Sequence, residues 1–124
     1  MTKIVVTPDC NNAPKKQLLK DFNIAFATGD VTTLEGMVSE GILWTIHGDK
    51  KVVGKASFVE EINIMKQYVA DELIIHTIIT HGAEAAVNGI IKMGGDTYAF
   101  CDIYHFKSAG SSIIKALDSY VVKS

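Results

Sequence analysis

The stretch TYAFCDIYHF, residues 97–106, decides how this chain folds. Read with a period of two, Tyr98, Phe100, Asp102, Tyr104 and Phe106 share one face, and Thr97, Ala99, Cys101, Ile103 and His105 share the other. That alternation, rich in aromatic and β-branched residues and free of proline, predicts a β-strand. Four rings around one carboxylate make an uncommon face. Rings belong against a core, and an ionised Asp does not unless a partner or trapped water satisfies it. Two readings fit. One is a cavity lined by rings with a few convergent polar groups; the other is a core strand whose Asp102 lies near the open end of a sheet and stays wet.

Outward from this strand, residues 72–80, 84–93 and 113–122 also read as long strands. The four are joined through His81-Gly82-Ala83, Gly94-Gly95-Asp96 and residues 108–112, which predicts an antiparallel meander. Everything upstream is mainly helical. Asn12 can cap a helix and Pro14 suits its first turn, after which Leu18, Phe22, Ala25 and Phe26 recur at helical spacing. The helix stops at Thr28-Gly29, and Asp30 restarts a short one carrying Leu34, Met37 and Val38. Gly41 opens a strand over 42–47, Gly48-Asp49 suits a two-residue turn, and 50–53 returns as a hairpin arm. Gly54 leads into a third helix over 55–68, with Phe58, Ile62 and Met65 on one side.

The expected architecture is one α+β domain over residues 1–124, with residues 1–11 as an N-terminal tail and three helices covering one face of a curved, mainly antiparallel sheet. The far face should then be polar. It is not: Leu73 and Ile75 alternate with Ile74 and Ile78, and Ala99, Cys101 and Ile103 lie opposite the rings. A homodimer formed through the sheet is therefore expected.

Composition narrows the partners. Of 124 residues, 48% are hydrophobic and 21% charged, with a net charge of −2, so no strong field draws the chain to nucleic acid or an anionic membrane. All twelve basic residues are lysines, which leaves no bidentate fork for phosphate or guanine. The two cysteines, Cys10 and Cys101, do not form a disulfide scaffold, and without a CxxC or a Cys/His cluster neither a metal nor a cofactor is expected. The apolar run at the N-terminus is too short for a signal peptide and no stretch is long enough to span a membrane, so a cytoplasmic location is expected.

The sequence order of helix, Gly29-Asp30, helix, Leu43-Trp44 before a glycine turn, Gly54-Lys55 opening a helix, Tyr104-His105-Phe106 ending a strand and Ser119-Tyr120-Val121 ending the last resembles the nuclear transport factor 2-like superfamily. Within it, the chain is most similar to the ketosteroid isomerase and SnoaL-like polyketide cyclase branch. The resemblance runs from Ala13 to Val122 and implies a cone-shaped, cystatin-like fold: a curved sheet wrapped round a long helix, with a deep apolar pocket and dimers formed through the sheet. It does not imply the isomerase chemistry. The isomerase's oxyanion-hole tyrosine falls on Phe22, its general-base aspartate on Ile46 and its protonated aspartate on Tyr104. Phe and Ile can neither donate nor accept a proton. The Asp–Arg–Asp relay of the superfamily's epoxide hydrolases is equally absent from a chain without Arg.

On the cone, strand parity turns Phe100, Asp102 and Tyr104 inward, with Gly89, Ile91 and Met93, Trp44 and Ile46, and Ala116, Asp118 and Tyr120. The helices add Phe22, Phe26, Phe58 and Met65. His47 falls on the opposite parity from Ile46 and should point away. The expected ligand-binding wall is thus Phe22, Phe26, Trp44, Ile46, Phe58, Met65, Ile91, Met93, Phe100 and Tyr120, with Asp102, Asp118 and Tyr104 as catalytic candidates. If residues of the last hairpin whose numbers sum to 220 are paired, Asp102 faces Asp118. Two carboxylates that close in an apolar cavity would share a proton.

Three functional classes follow. The first is an enzyme performing acid–base chemistry of the isomerase or cyclase kind on a small apolar molecule. The second is a non-catalytic binder of such a molecule, and the third is a dimeric interaction module with a filled cavity.

Overall fold

The computed structural model describes residues 1–10 and 13–124; the expected cap at Asn12 lies outside them. Helix α1 (Pro14–Thr28) places Pro14 in its first turn, where the missing N–H has no partner to lose, and buries Leu19, Phe22, Asn23, Ala25 and Ala27. It ends on Gly29 in the left-handed region at φ 75°, whose N–H closes onto the last-turn carbonyls of Ala25 and Phe26. Asp30 caps α2 (Val31–Met37): its carboxylate accepts from the Thr33 N–H at 3.2 Å and the Thr33 hydroxyl at 2.6 Å. The third helix, α3 (Lys55–Met65), buries Phe58 and Ile62 and stops three residues short of the expected 68.

The strands are β1 (Lys3–Val6), β2 (Val38–Ile46), β3 (Lys50–Val53), β4 (Glu72–His81), β5 (Glu84–Met93), β6 (Asp96–Phe106) and β7 (Ile114–Lys123). They form one curved, unclosed sheet in the order β1-β4-β5-β6-β7-β2-β3. The meander is antiparallel throughout, while β1 runs parallel to β4 and β2 parallel to β7. Helix α1 packs on β4 and α3 on β2 and β3, so all three helices lie in the hollow of the sheet. The core between them includes Leu19, Phe22, Trp44, Phe58, Ile75, Val87, Tyr104, Phe106 and Leu117.

The structure departs from the expectations where chain geometry overrides simple parity. Residues 3–6, expected as a tail, add β1 to the sheet edge. The β2–β3 turn holds three residues, with Ile46 paired to Lys50 and Gly48 at φ 82°. In β4 a bulge between Ile75 and Thr77 leaves both His76 and Thr77 exposed and returns Ile78 to the buried face of Leu73 and Ile75. Ile78 therefore does not contribute to the outer face, as alternation predicted. Opposite the bulge, Gly89 pairs with Ile75, and a Cβ there would lie 2.0 Å from the Ile74 carbonyl oxygen. Only glycine lets the two strands come this close.

The second departure decides the site. Phe106 pairs with Ile114, a sum of 220 as expected, but His105 pairs with Ala116. The bulge at exposed Lys115 raises the sum to 221 for the rest of the hairpin, so Asp102 faces Ser119 and Ile103 faces Asp118. One extra residue sends every later side chain of β7 to the other face.

Lys15 joins α1 to the β4–β5 and β6–β7 loops. Its ammonium donates to the carbonyls of Gly82 at 3.0 Å and Ala109 at 2.8 Å, and sits 4.3 Å from the centroid of the Phe106 ring.

Candidate functional site

A cavity of about 210 Å³ lies between α1 and the hollow of the sheet, room for about seven waters at their liquid volume. Phe22 and Phe26 from α1, Trp44 and Ile46 from β2, Met65 from α3, Ile91 and Met93 from β5, and Tyr98, Phe100 and Asp102 from β6 line it. Leu73 of β4 and Leu117, Ser119 and Val121 of β7 close the rest, beside Asn23. A neighbouring cavity of about 170 Å³ shares Phe26, Met65, Ile91 and Met93 and is also lined by Lys66 and Tyr68. The aromatic walls brace one another: Trp44 meets Phe26 edge-on at 5.9 Å, and Phe22 meets Tyr104 edge-on at 5.5 Å between ring centroids.

Among the described residues, Asp102 is the one carboxylic acid lining the inner cavity, and no Lys or His lines it. Its accessible surface faces the cavity, and the carboxyl is otherwise enclosed by protein. Two hydroxyls hold it. The Trp44 indole N–H donates to the Ser119 oxygen at 2.9 Å, which turns the Ser119 hydroxyl to donate to Asp102. On the other side, Asn23 donates from its amide to the Leu19 carbonyl at 2.8 Å and to the Tyr104 oxygen at 3.0 Å, and the Tyr104 hydroxyl points at Asp102 Oδ2 at 3.5 Å. Loss of hydration pushes the Asp102 carboxyl up to about 7, and the two hydroxyls pull less strongly the other way. Burial, with the adjacent Asp102 carboxylate second, raises the Tyr104 phenol well above its ordinary value, so it stays a neutral donor.

The expected acid dyad does not form. Asp118 lies on the outer face of the sheet, where its carboxylate oxygens meet His47 Nε2 at 2.8 Å and His105 Nε2 at 3.0 Å. Those partners, the His47 hydrogen bond foremost, hold Asp118 below the usual carboxylate range. His105 also meets Glu84, and His47 stacks on Tyr120 with ring centroids 4.2 Å apart. Tyr120, expected on the pocket wall, is thus an exposed outer-face residue, and Ala116 shares that face. Phe58 is buried against Trp44 behind the wall, at 5.5 Å between ring centroids, and does not line the cavity. Tyr104 is buried too, its hydroxyl held between Asn23 and Asp102, where it positions the acid. The remaining expected residues, Phe22, Phe26, Trp44, Ile46, Met65, Ile91, Met93 and Phe100, line the cavity with Asp102.

Six lining residues were missed: Asn23, Leu73, Tyr98, Leu117, Ser119 and Val121. Tyr98 shares the face of Phe100 and Asp102 and was legible by parity. The three from β7 were hidden by the bulge at Lys115. Asn23 carried a weaker signal, a short amide on the apolar side of a helix, where only a specific hydrogen-bond partner makes it stable.

The fold is that of the nuclear transport factor 2-like (NTF2-like) proteins. An NTF2-like protein of unknown function from Cytophaga hutchinsonii superposes with a TM-score of 0.68 at 23% identity, covering 87% of this chain and 99% of that one. A protein from Shewanella denitrificans, described as a SnoaL-like polyketide cyclase, reaches 0.77 at 12% identity over 90% and 92% of the two chains. One from Kribbella flavida, described as a ketosteroid isomerase, reaches 0.74 at 11% identity over 89% and 78%. No protein-family model matches the sequence, and no curated protein matches it.

Proposed function

We propose that this chain binds a small, mostly apolar molecule in the hollow of the sheet and that Asp102 exchanges a proton with it. The observation that carries this reading is a solitary carboxyl, raised to about 7, on the wall of an apolar cavity. A group that gains and loses its proton near neutrality serves as a general acid or a general base. Protonated, Asp102 donates to a carbonyl or hydroxyl oxygen of the ligand; ionised, it removes a proton beside one. Ser119 and Tyr104 hold whichever oxygen carries the charge. The route differs from that of a ketosteroid isomerase, because Phe22 and Ile46 supply no second acid or base.

The test is to titrate cyclohexenones and naphthols into the protein, follow the Trp44 fluorescence, and assay the same compounds for proton exchange between pH 5 and 9. Saturable quenching together with exchange that follows one ionisation near 7, absent in Asp102→Asn, supports the reading. Quenching without exchange leaves a non-catalytic binder, and no quenching by any of them ends the pocket reading. Self-association through the outer face belongs to the same proposal. Ile74, Ile79, Ala99, Ile103 and Val122 form an apolar field on the side away from the helices, with Ile79 and Val122 well exposed.

A further inference from the structure

The inner cavity combines three features that select a ligand by charge. Among the described residues, Asp102 is the only carboxylic acid that lines it, and no Lys or His does. The groups that reach Asp102 are neutral donors: Ser119 and, through Tyr104, Asn23. The same cavity is lined by the rings of Phe22, Phe26, Trp44, Tyr98 and Phe100, and a ring that turns its face to a ligand attracts a cation. Lys66 lines the neighbouring cavity and not this one.

Resting on the pocket reading above, we infer that the ligand class is an aromatic or alicyclic amine, its apolar body among the rings and its ammonium against Asp102. The two hydroxyls already bonded to the carboxylate favour its charged form, and an ammonium supplies the counter-charge that the protein lacks. Such a ligand enters as a cation with its body in an apolar wall, and it drives the Asp102 proton out, which leaves the carboxylate only the base role of the two proposed above. At pH values where free Asp102 is protonated, binding therefore releases close to one proton; above about 8 it releases none. Affinity rises with pH across that interval. The groups facing Asp102 from β6, β7, β2 and α1 are Tyr104, Ser119, Trp44 and Asn23, none of which changes charge there.

Calorimetry of the intact protein with 2-phenylethylamine, 2-phenylethanol and phenylacetate separates the possibilities. These probes share a ring and a short side chain and differ in charge. The expected result is amine binding at least tenfold tighter than alcohol at pH 8, phenylacetate weakest, and buffer-dependent proton release on amine binding at pH 6. Alcohol binding as tight as amine, or phenylacetate tightest, overturns the amine inference and leaves the apolar pocket standing. Binding of none of the three overturns both. All three probes meet the native protein, so the result does not depend on any variant folding. Asp102→Asn, where it folds, should bind amine no better than alcohol, and a retained tenfold preference for amine would also overturn the inference.

Discussion

At the scale of single residues, Asp102 couples the stability of the fold to pH. Its folded value of about 7 stands above the ordinary 3.8, so the folded protein keeps a proton that the unfolded chain releases. Below pH 3.8 both states are protonated and the acid's contribution is fully present; as pH rises through 7 it is lost. The ceiling on that loss is about 4 kcal/mol at roughly 1.4 kcal/mol per unit, with water entering the cavity reducing it. Asp102→Asn should abolish this slope in urea denaturation and be the more stable protein at pH 8. A variant that is less stable at pH 8, with the slope unchanged, would assign the acid a structural role. Asp118 runs the other way: its lowered value contributes stability above pH 3.8 that disappears on acidification, and its exposure keeps the effect small. Asp102 was legible as a site residue because four rings flank it in alternation, and a buried ring face tolerates a carboxyl only beside a cavity or a partner. Ser119 was not, since nothing in its immediate neighbours announces which way it points.

At the scale of elements, the meander was legible almost to the residue, because long strands with glycine turns leave little freedom. What alternation cannot see is a bulge, which changes faces without changing composition. Two bulges account for the misplaced strand residues. At His76 the bulge puts Ile78 inside, and at Lys115 it puts Asp118 and Tyr120 outside and Leu117, Ser119 and Val121 in. Deleting Lys115 removes only the bulged residue, so Ala116 follows Ile114 directly, still pairs with His105, and Asp118 keeps its place opposite Ile103 on the outer face. The expected outcome is a chain that still folds cooperatively in urea; a deletion variant that no longer does would contradict the register. Gly89→Ala tests the other bulge. Its Cβ would overlap the Ile74 carbonyl oxygen, so a loss of about 3 kcal/mol or more is expected, at the severe end for one substitution. A loss under about 1 kcal/mol, an ordinary effect for one substitution, would show that β4 and β5 are not in this contact.

At the scale of the whole molecule, the helices fill the hollow of the sheet and leave its outer face open. The His47–Asp118–His105–Glu84 chain crosses that face beside Ile103. A dimer built there should bury at least about 1,000 Å². Light scattering should then give twice the chain mass at micromolar concentration, and Ile103→Lys should return it to the mass of one chain by stranding a charge in the interface. A native protein that scatters as one chain throughout would contradict this assembly. The helix-covered curved sheet was legible from the order of helices and strands, and the cone followed from the resemblance that its landmarks carry. The occupant of its hollow was not, because a cavity is defined by what several distant segments leave unfilled.

The central claim is that one carboxyl in an apolar hollow is poised to change charge near neutrality. It is tested most directly by following the ¹³C resonance of the Asp102 carboxyl, assigned by comparison with Asp102→Asn, as pH is raised from 3 to 9. A single titration step centred near 7, about three units above an ordinary aspartate, is the result expected. A step centred near 4 would mean that Asp102 is as wet as any surface acid, and would contradict the account.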